Sequence, residues 1–268
     1  MPIQCDYHMH TPLCKHAVGP MEAYVEHAIE LGLREVGFSD HNPLPNGLGA
    51  PVRMTEGELE YYVARVLDLR FQYRGRIVVM LGLELDYVEG LEDYLTKQIA
   101  AYPWDYILGS VHYLDRECRI GAWTQKYSGT ADEQYARYFA LVRQLARSGL
   151  SDVLAHLDVV KRCMRPPTPV GFAEVSAALE DIAQAGVAIE INTSGYRHPE
   201  LVNEPQPYPS WPFIELAIAL GIPLTVNSDA HAPEQVGMKF AEMESFLLKH
   251  NCSHLARFDR REREMYTL

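Results

Sequence analysis

The sequence predicts an α/β fold: a parallel barrel, closed or nearly closed, built from seven β/α units. Three observations carry that reading. Seven short β-rich runs alternate with helix-like segments through the 268 residues, glycine stands where helices hand over to strands, and histidines and acids recur just past the strand ends.

The first candidate strand is "IQCDYHMH", and the helix after it is "PMEAYVEHAIELGL". In that helix Tyr24, Ala28 and Leu31 keep the spacing of a buried face, and Gly32 is the stop. "EVGFSDH" then leads to "TEGELEYYVARVLDLRFQY", and "RIVVMLGLELD" to "LEDYLTKQIAAY". The fourth and fifth units are "WDYILGSVHYL" with "TADEQYARYFALVRQLARSGL" and "DVLAHLD" with "GFAEVSAALEDIAQAG". "VAIEINTSG" with "SWPFIELAIALG" and "IPLTVNSDAH" with "PEQVGMKFAEMESFLLKH" complete the set, with Gly186 and Gly221 at helix-to-strand junctions. The proline-rich "RPPTPVG" and "NEPQPYPSWP" follow strands and read as rigid surface loops. The tail "HLARFDRREREMYTL" reads as an amphipathic or charged closing helix. No linker or repeat marks a second domain, so residues 1–268 are expected to form one barrel.

Composition narrows the function classes. With 47% hydrophobic and 22% charged residues the chain has the make-up of a globular enzyme, and no stretch approaches the roughly 18 apolar residues of a membrane span. The N-terminus has no leader pattern, so the cytoplasm is the expected location. Cys5, Cys14, Cys118, Cys163 and Cys252 are scattered and suit reduced thiols. A formal charge of −12 argues against a partner of long nucleic acid, though not against a small anionic substrate held through cations. Homo-oligomerisation stays open.

In a parallel barrel the residues just past each strand converge on one face. The strands deliver there His8, His10 and His16; Asp40 and His41; Glu84 and Asp86; His112; His156 and Asp158; Glu190 and Asn192; Asp229 and His231. Seven of the eleven histidines thus reach one rim, while His27, His198, His250 and His254 stand outside the pattern and take no metal role. Imidazole with carboxylate suits zinc, iron or manganese rather than magnesium or calcium. In H-x-H on a strand both side chains face one way, so His8 and His10 can reach one ion. The donors supply two divalent transition-metal ions, and a third if Glu84 bridges. Asp40, Asp86 and Asp158 are candidates to orient ligand imidazoles, and Cys14 reads chiefly as a packed small side chain.

The stretches "DYHMHTPLCKH", "GFSDHNP", "GLELDY", "GSVHYL", "AHLDVVKR", "INTSGYRHP" and "NSDAH" span Tyr7 to His231. In them the chain resembles the PHP family (polymerase and histidinol phosphatase), and within it the histidinol-phosphate phosphatase branch. The resemblance implies a distorted (β/α)7 barrel with a trinuclear iron, zinc or manganese site at the C-terminal ends of the strands. It implies that His8, His10, Glu84 and Asp229 hold one ion, that Glu84, His112 and His156 hold a second, and that His16, His41 and His231 hold a third. Arg162 and Arg197 resemble that branch's substrate-holding arginines; a guanidinium grips phosphate with paired hydrogen bonds.

The expected reaction is hydrolysis of a small phosphomonoester, L-histidinol phosphate, with Glu84, Asp229 and His231 as catalytic residues and metal-bound water, or else Asp229 or His231 near the seventh strand, as the source of the leaving group's proton. Glu204, Tyr208, Trp211 and Trp123 are candidates to receive the imidazole and amine. Two other readings are a nucleotide or oligonucleotide phosphoesterase of the same family and a non-catalytic, metal-binding regulatory protein.

Overall fold

The computed structural model describes residues 3–165, 167–198 and 205–268. Seven parallel strands lie in sequence order: β1 (Cys5–Asp6), β2 (Glu35–Phe38), β3 (Val78–Asp86), β4 (Tyr106–Ser110), β5 (Val153–Leu154), β6 (Ala188–Asn192) and β7 (Leu224–Asn227). The ring is brought nearly to closure by a parallel bridge between Met9 and Ala230, where His10 N donates to Ala230 O and Ala230 N to His8 O, each at 2.9 Å. Seven helices follow the strands: α1 (Met21–Glu30), α2 (Leu59–Gln72), α3 (Glu92–Ala100), α4 (Ala131–Ser148), α5 (Pro169–Ala185), α6 (Trp211–Ala219) and α7 (Phe240–Lys249). Their starts carry local signals, as at Thr130, whose side chain and that of Glu133 cap each other's backbone; α4 and α5 stop at Gly149 and Gly186, both left-handed.

Strand alternation places the core and the site in one stroke. On β3, Val79, Leu81, Leu83 and Leu85 join the large cluster under the helices, whereas Met80 belongs to the smaller cluster with Tyr106, Leu108 and Ala188. Glu84 and Asp86 continue the Met80 phase and therefore point where a barrel has its active face. Tyr106 fills the middle of the barrel, its hydroxyl bonding Tyr7 O at 2.6 Å. Only glycine fits beside it at Gly37 and Gly82, where a Cβ would lie 2.1 and 2.2 Å from the Tyr106 side chain.

The tail corrects the expected closing helix. His254–Asp259 (β8) and Glu262–Thr267 (β9) form an antiparallel hairpin whose Ala256 and Phe258 pack on the Tyr7–Tyr106 cluster. Arg261 fastens it to the barrel, with Nη2 3.0 Å from Asp152 Oδ1 and its backbone N–H donating to Asp105 O at 2.7 Å. All five cysteines are free thiols, and no helix among the described residues is long and apolar enough to cross a membrane.

Candidate metal centre

At the C-terminal ends of the strands the nine expected ligands come together. Glu84, fully buried, is the hub. His8 Nε2, His10 Nε2 and His41 Nδ1 lie 3.5, 3.4 and 2.7 Å from its Oε2; His112 Nε2 and His156 Nε2 lie 3.5 and 2.9 Å from its Oε1. Each oxygen thus faces a separate set of imidazoles, the arrangement a bridging carboxylate needs. Asp229 Oδ1 sits 3.7 Å from His8 Nε2 and 3.3 Å from His10 Nε2. The His231 ring is 4.2 Å from His10 and 4.6 Å from His16, so His10 joins the Glu84 hub to the outer histidines. Donor atoms of His8, His10 and Asp229, and of His10, His41 and His231, lie within metal-sharing distance; so do those of Cys14, His16 and His231.

Surrounding groups orient the rings. Glu190 takes His8 Nδ1 at 2.7 Å, Asp40 Oδ1 is 3.3 Å from His10 Nδ1, and Asp86 Oδ2 is 3.1 Å from His112 Nδ1. Backbone carbonyls do the same for His16 and His231, at Cys14 O (2.7 Å) and Asp229 O (2.9 Å). In these five the hydrogen-bonded Nδ1 leaves Nε2 to face the site, as ligand imidazoles are usually arranged. Asp158 departs from expectation: its Oδ2 accepts from Ser210 N (2.9 Å) and Oγ (2.6 Å), pinning the loop before α6. Two of the expected ligands, His156 (φ 27°) and Asp229 (φ 53°), hold left-handed backbone, a strained state typical of functional positions.

The donor chemistry fits a cation. His8 Nε2, His41 Nδ1, Glu84 Oε2, His156 Nδ1 and His231 Nε2 are buried without a hydrogen-bond partner, and native proteins rarely leave such atoms unmatched. Burial drives His41 down to about 3 and His231 to about 2, so both rings are neutral at pH 7 and keep a lone pair. Burial also opposes a charge on Glu84, but the imidazoles gathered around it, His112 and His8 among them, outweigh it and hold the carboxyl well below its usual range.

The centre forms the floor of a cavity of about 480 Å³ whose walls include Arg162, Arg197, Tyr113, Trp123 and Tyr208. Arg197 is braced by Ser228 O at 3.0 Å and Asp229 O at 2.5 Å. Arg162 lies over the Trp123 ring at 5.1 Å, with a buried Nε that has no hydrogen-bond partner. Trp211 departs from expectation and stacks on Phe246, 4.4 Å away, in the helical layer; Glu204 lies outside the described residues. Two contributors had no assigned role in the sequence reading: Glu190, and Arg53, whose buried guanidinium meets Asp86 Oδ2 at 2.5 Å behind His112.

The PHP domain model matches residues 6–194, about seven-tenths of the chain. The chain belongs to the PHP family. A Deinococcus radiodurans protein named "Probable histidinol-phosphatase" is 38% identical over 247 residues, covering 89% of this chain and 90% of its own. The Bacillus subtilis histidinol-phosphatase is 28% identical, with 90% and 97% covered. In fold, the chain is similar to a Lactococcus lactis histidinol phosphate phosphatase solved with zinc, L-histidinol and phosphate, at a TM-score of 0.79 and 21% identity over 98% of this chain and 99% of that one. The family model and the solved neighbour thus agree with the seven-stranded barrel described above.

Proposed function

We propose that the protein is a metal-dependent phosphomonoesterase that hydrolyses L-histidinol phosphate to L-histidinol and phosphate. The observation that carries this reading is the Glu84 hub, a buried carboxylate with imidazoles gathered around both oxygens at the bottom of a cavity flanked by two arginines. The names of the relatives, and the ligands solved in the Lactococcus protein, supply the substrate.

Two to three ions of zinc, iron or manganese would be held by His8, His10, Glu84 and Asp229, by Glu84, His112 and His156, and by His16, His41 and His231. Bound there, such ions lower the pKa of water to near neutrality and neutralise phosphoryl charge. The residues of the chain do the rest. Arg162 and Arg197 grip the phosphoryl oxygens, and their different bracing divides the work: Arg197 is preset by two carbonyls, while Arg162 keeps an unspent Nε–H. Asp229, held ionised, and His231, whose Nε2 offers a lone pair, have no proton to give, so the departing alkoxide is assigned its proton from water in the cavity. Trp123 and Tyr208, on the cavity wall, shield the ester from water and offer ring faces to the substrate's imidazole.

The test is phosphate release from L-histidinol phosphate by protein as purified, after chelation, and after metal restoration. Turnover lost on chelation and regained with zinc, manganese or iron supports the reading. Absence of turnover across a panel of phosphomonoesters in metal-loaded protein would favour a non-catalytic metal-binding role.

A further inference from the structure

Glu190 sits on β6 with a fully buried side chain, yet it is not among the proposed ligands. A buried carboxylate accepts hydrogen bonds and cannot donate them, so its surroundings must bring the donors. Four arrive. Oε1 receives His8 Nδ1 at 2.7 Å and Asn227 Nδ2 at 3.0 Å; Oε2 receives the backbone N–H of His156 at 2.9 Å and Asn192 Nδ2 at 2.8 Å. Asn227 ties β7 to β6 and is itself held, its Oδ1 accepting from the backbone N–H of Tyr7 at 2.7 Å, whereas Asn192 bonds Glu190 within β6.

Cross-linking β6 to β7 would need only the Asn227 bond. The His8 and His156 bonds go to residues of different proposed ion groups. Because Glu190 accepts, His8 carries its proton on Nδ1, and its unpartnered Nε2 is left with a lone pair facing Glu84 and Asp229. His156 holds a left-handed backbone at φ 27°, and the N–H that Glu190 receives belongs to that strained residue, whose Nε2 stands 2.9 Å from Glu84 Oε1.

We propose that Glu190 is a positioning residue that couples the first and second ion sites, one oxygen setting the tautomer of His8 and the other the backbone of His156, so that the two sites are built or lost together. The inference rests on the ligand assignment proposed above and is independent of the substrate.

The test titrates Co(II) into chelator-stripped wild-type, Glu190→Gln and Asp40→Asn proteins against a competing chelator, reading visible absorption and bound equivalents. Glu190→Gln keeps the volume but sets an NH2 against donors. It should weaken two equivalents together, by roughly 10–100-fold each, the usual cost of an outer-shell change. Asp40→Asn, which acts on His10 from another side, should not reproduce the paired loss. With native far-UV circular dichroism and an unchanged thermal midpoint, loss of one equivalent alone, or of none, would overturn the proposal. Should Glu190→Gln not fold, 15N-histidine spectra of the metal-free wild type decide: a proton on His8 Nδ1 supports the coupling, and a proton on Nε2 alone refutes it. Paired loss of Co(II) sites stands as support even where L-histidinol phosphate is not hydrolysed, a failure that strikes the substrate reading instead.

Discussion

His41 Nδ1 lies 2.7 Å from Glu84 Oε2, and neither atom has a hydrogen-bond partner. Two electron-rich atoms that close repel each other unless a cation or a proton lies between them. Removing one Glu84 oxygen should therefore dismantle more than a single contact. Glu84→Gln is expected to lose metal by elemental analysis and to lower kcat by more than the 10–100-fold typical of an outer-shell change. Retention of two or more metal equivalents with kcat within twofold of wild type would count against a bridging role.

Arg53 is tested through stability. Its guanidinium, 1% exposed, reaches Asp86 Oδ2 (2.5 Å), Asn42 O (2.9 Å) and Gly49 O (3.2 Å). Burial pushes the Asp86 carboxyl up, but His112 and Arg53 outweigh it and keep it ionised. Arg53→Ala strands that charge in the interior, which typically costs about 3–5 kcal/mol. Urea unfolding should show a loss of that size; a change below about 1 kcal/mol, the surface-pair range, would mean that Asp86 finds another partner.

The arginines above the metal centre predict a split between binding and metal content. Arg162→Ala removes the guanidinium with the unmatched Nε and should lower kcat/KM for a phosphomonoester by roughly 10- to 150-fold, the worth of one charge-assisted hydrogen bond. Metal content should not change. Unaltered kinetics would remove Arg162 from the phosphate site, and lost metal would recast it as structural.

Away from the site, Asp181 on α5 ties α5 to α4. The Arg143 side-chain hydrogen bond, with Arg147 Nη2 2.9 Å away, holds its carboxyl below the usual carboxylate range. A depressed folded-state value contributes stability that is present above the unfolded pKa, about 3.9, and is lost as pH falls through the folded value. Asp181→Asn should cost up to about 1 kcal/mol at pH 7, and the difference should begin to narrow near pH 4 and close only below the folded value. Denaturation midpoints followed from pH 7 down through that value check it; a difference that stays constant throughout would show that the ion pair is not its source.

The legible part of the fold was the part written in periodicity. Seven β/α units, and the phase that turns Glu84 and Asp86 inward with Met80, follow from alternation alone. His8 and His10 kept their shared direction even though β1 ends at Asp6, because the Met9–Ala230 bridge prolongs the extended chain. The tail was misread for a physical reason. Its two-residue loop is Arg260-Arg261, both at positive φ (49° and 68°), where a hairpin usually shows Asn or Gly, so the charged run carried no turn signal. Glu190 was visible as a strand-end acid, but ligand and orienting carboxylates look alike in sequence, and only the 2.7 Å bond to His8 separates them. Arg53 lies in an irregular loop with no pattern to point from it to Asp86.

The most direct measurement is kcat/KM of the metal-loaded protein for L-histidinol phosphate beside mononucleotides and sugar phosphates. A pocket built for the polar groups of one substrate predicts a preference for L-histidinol phosphate of roughly 100-fold or more. A mononucleotide turned over more efficiently than L-histidinol phosphate would contradict the account while leaving the metal centre in place.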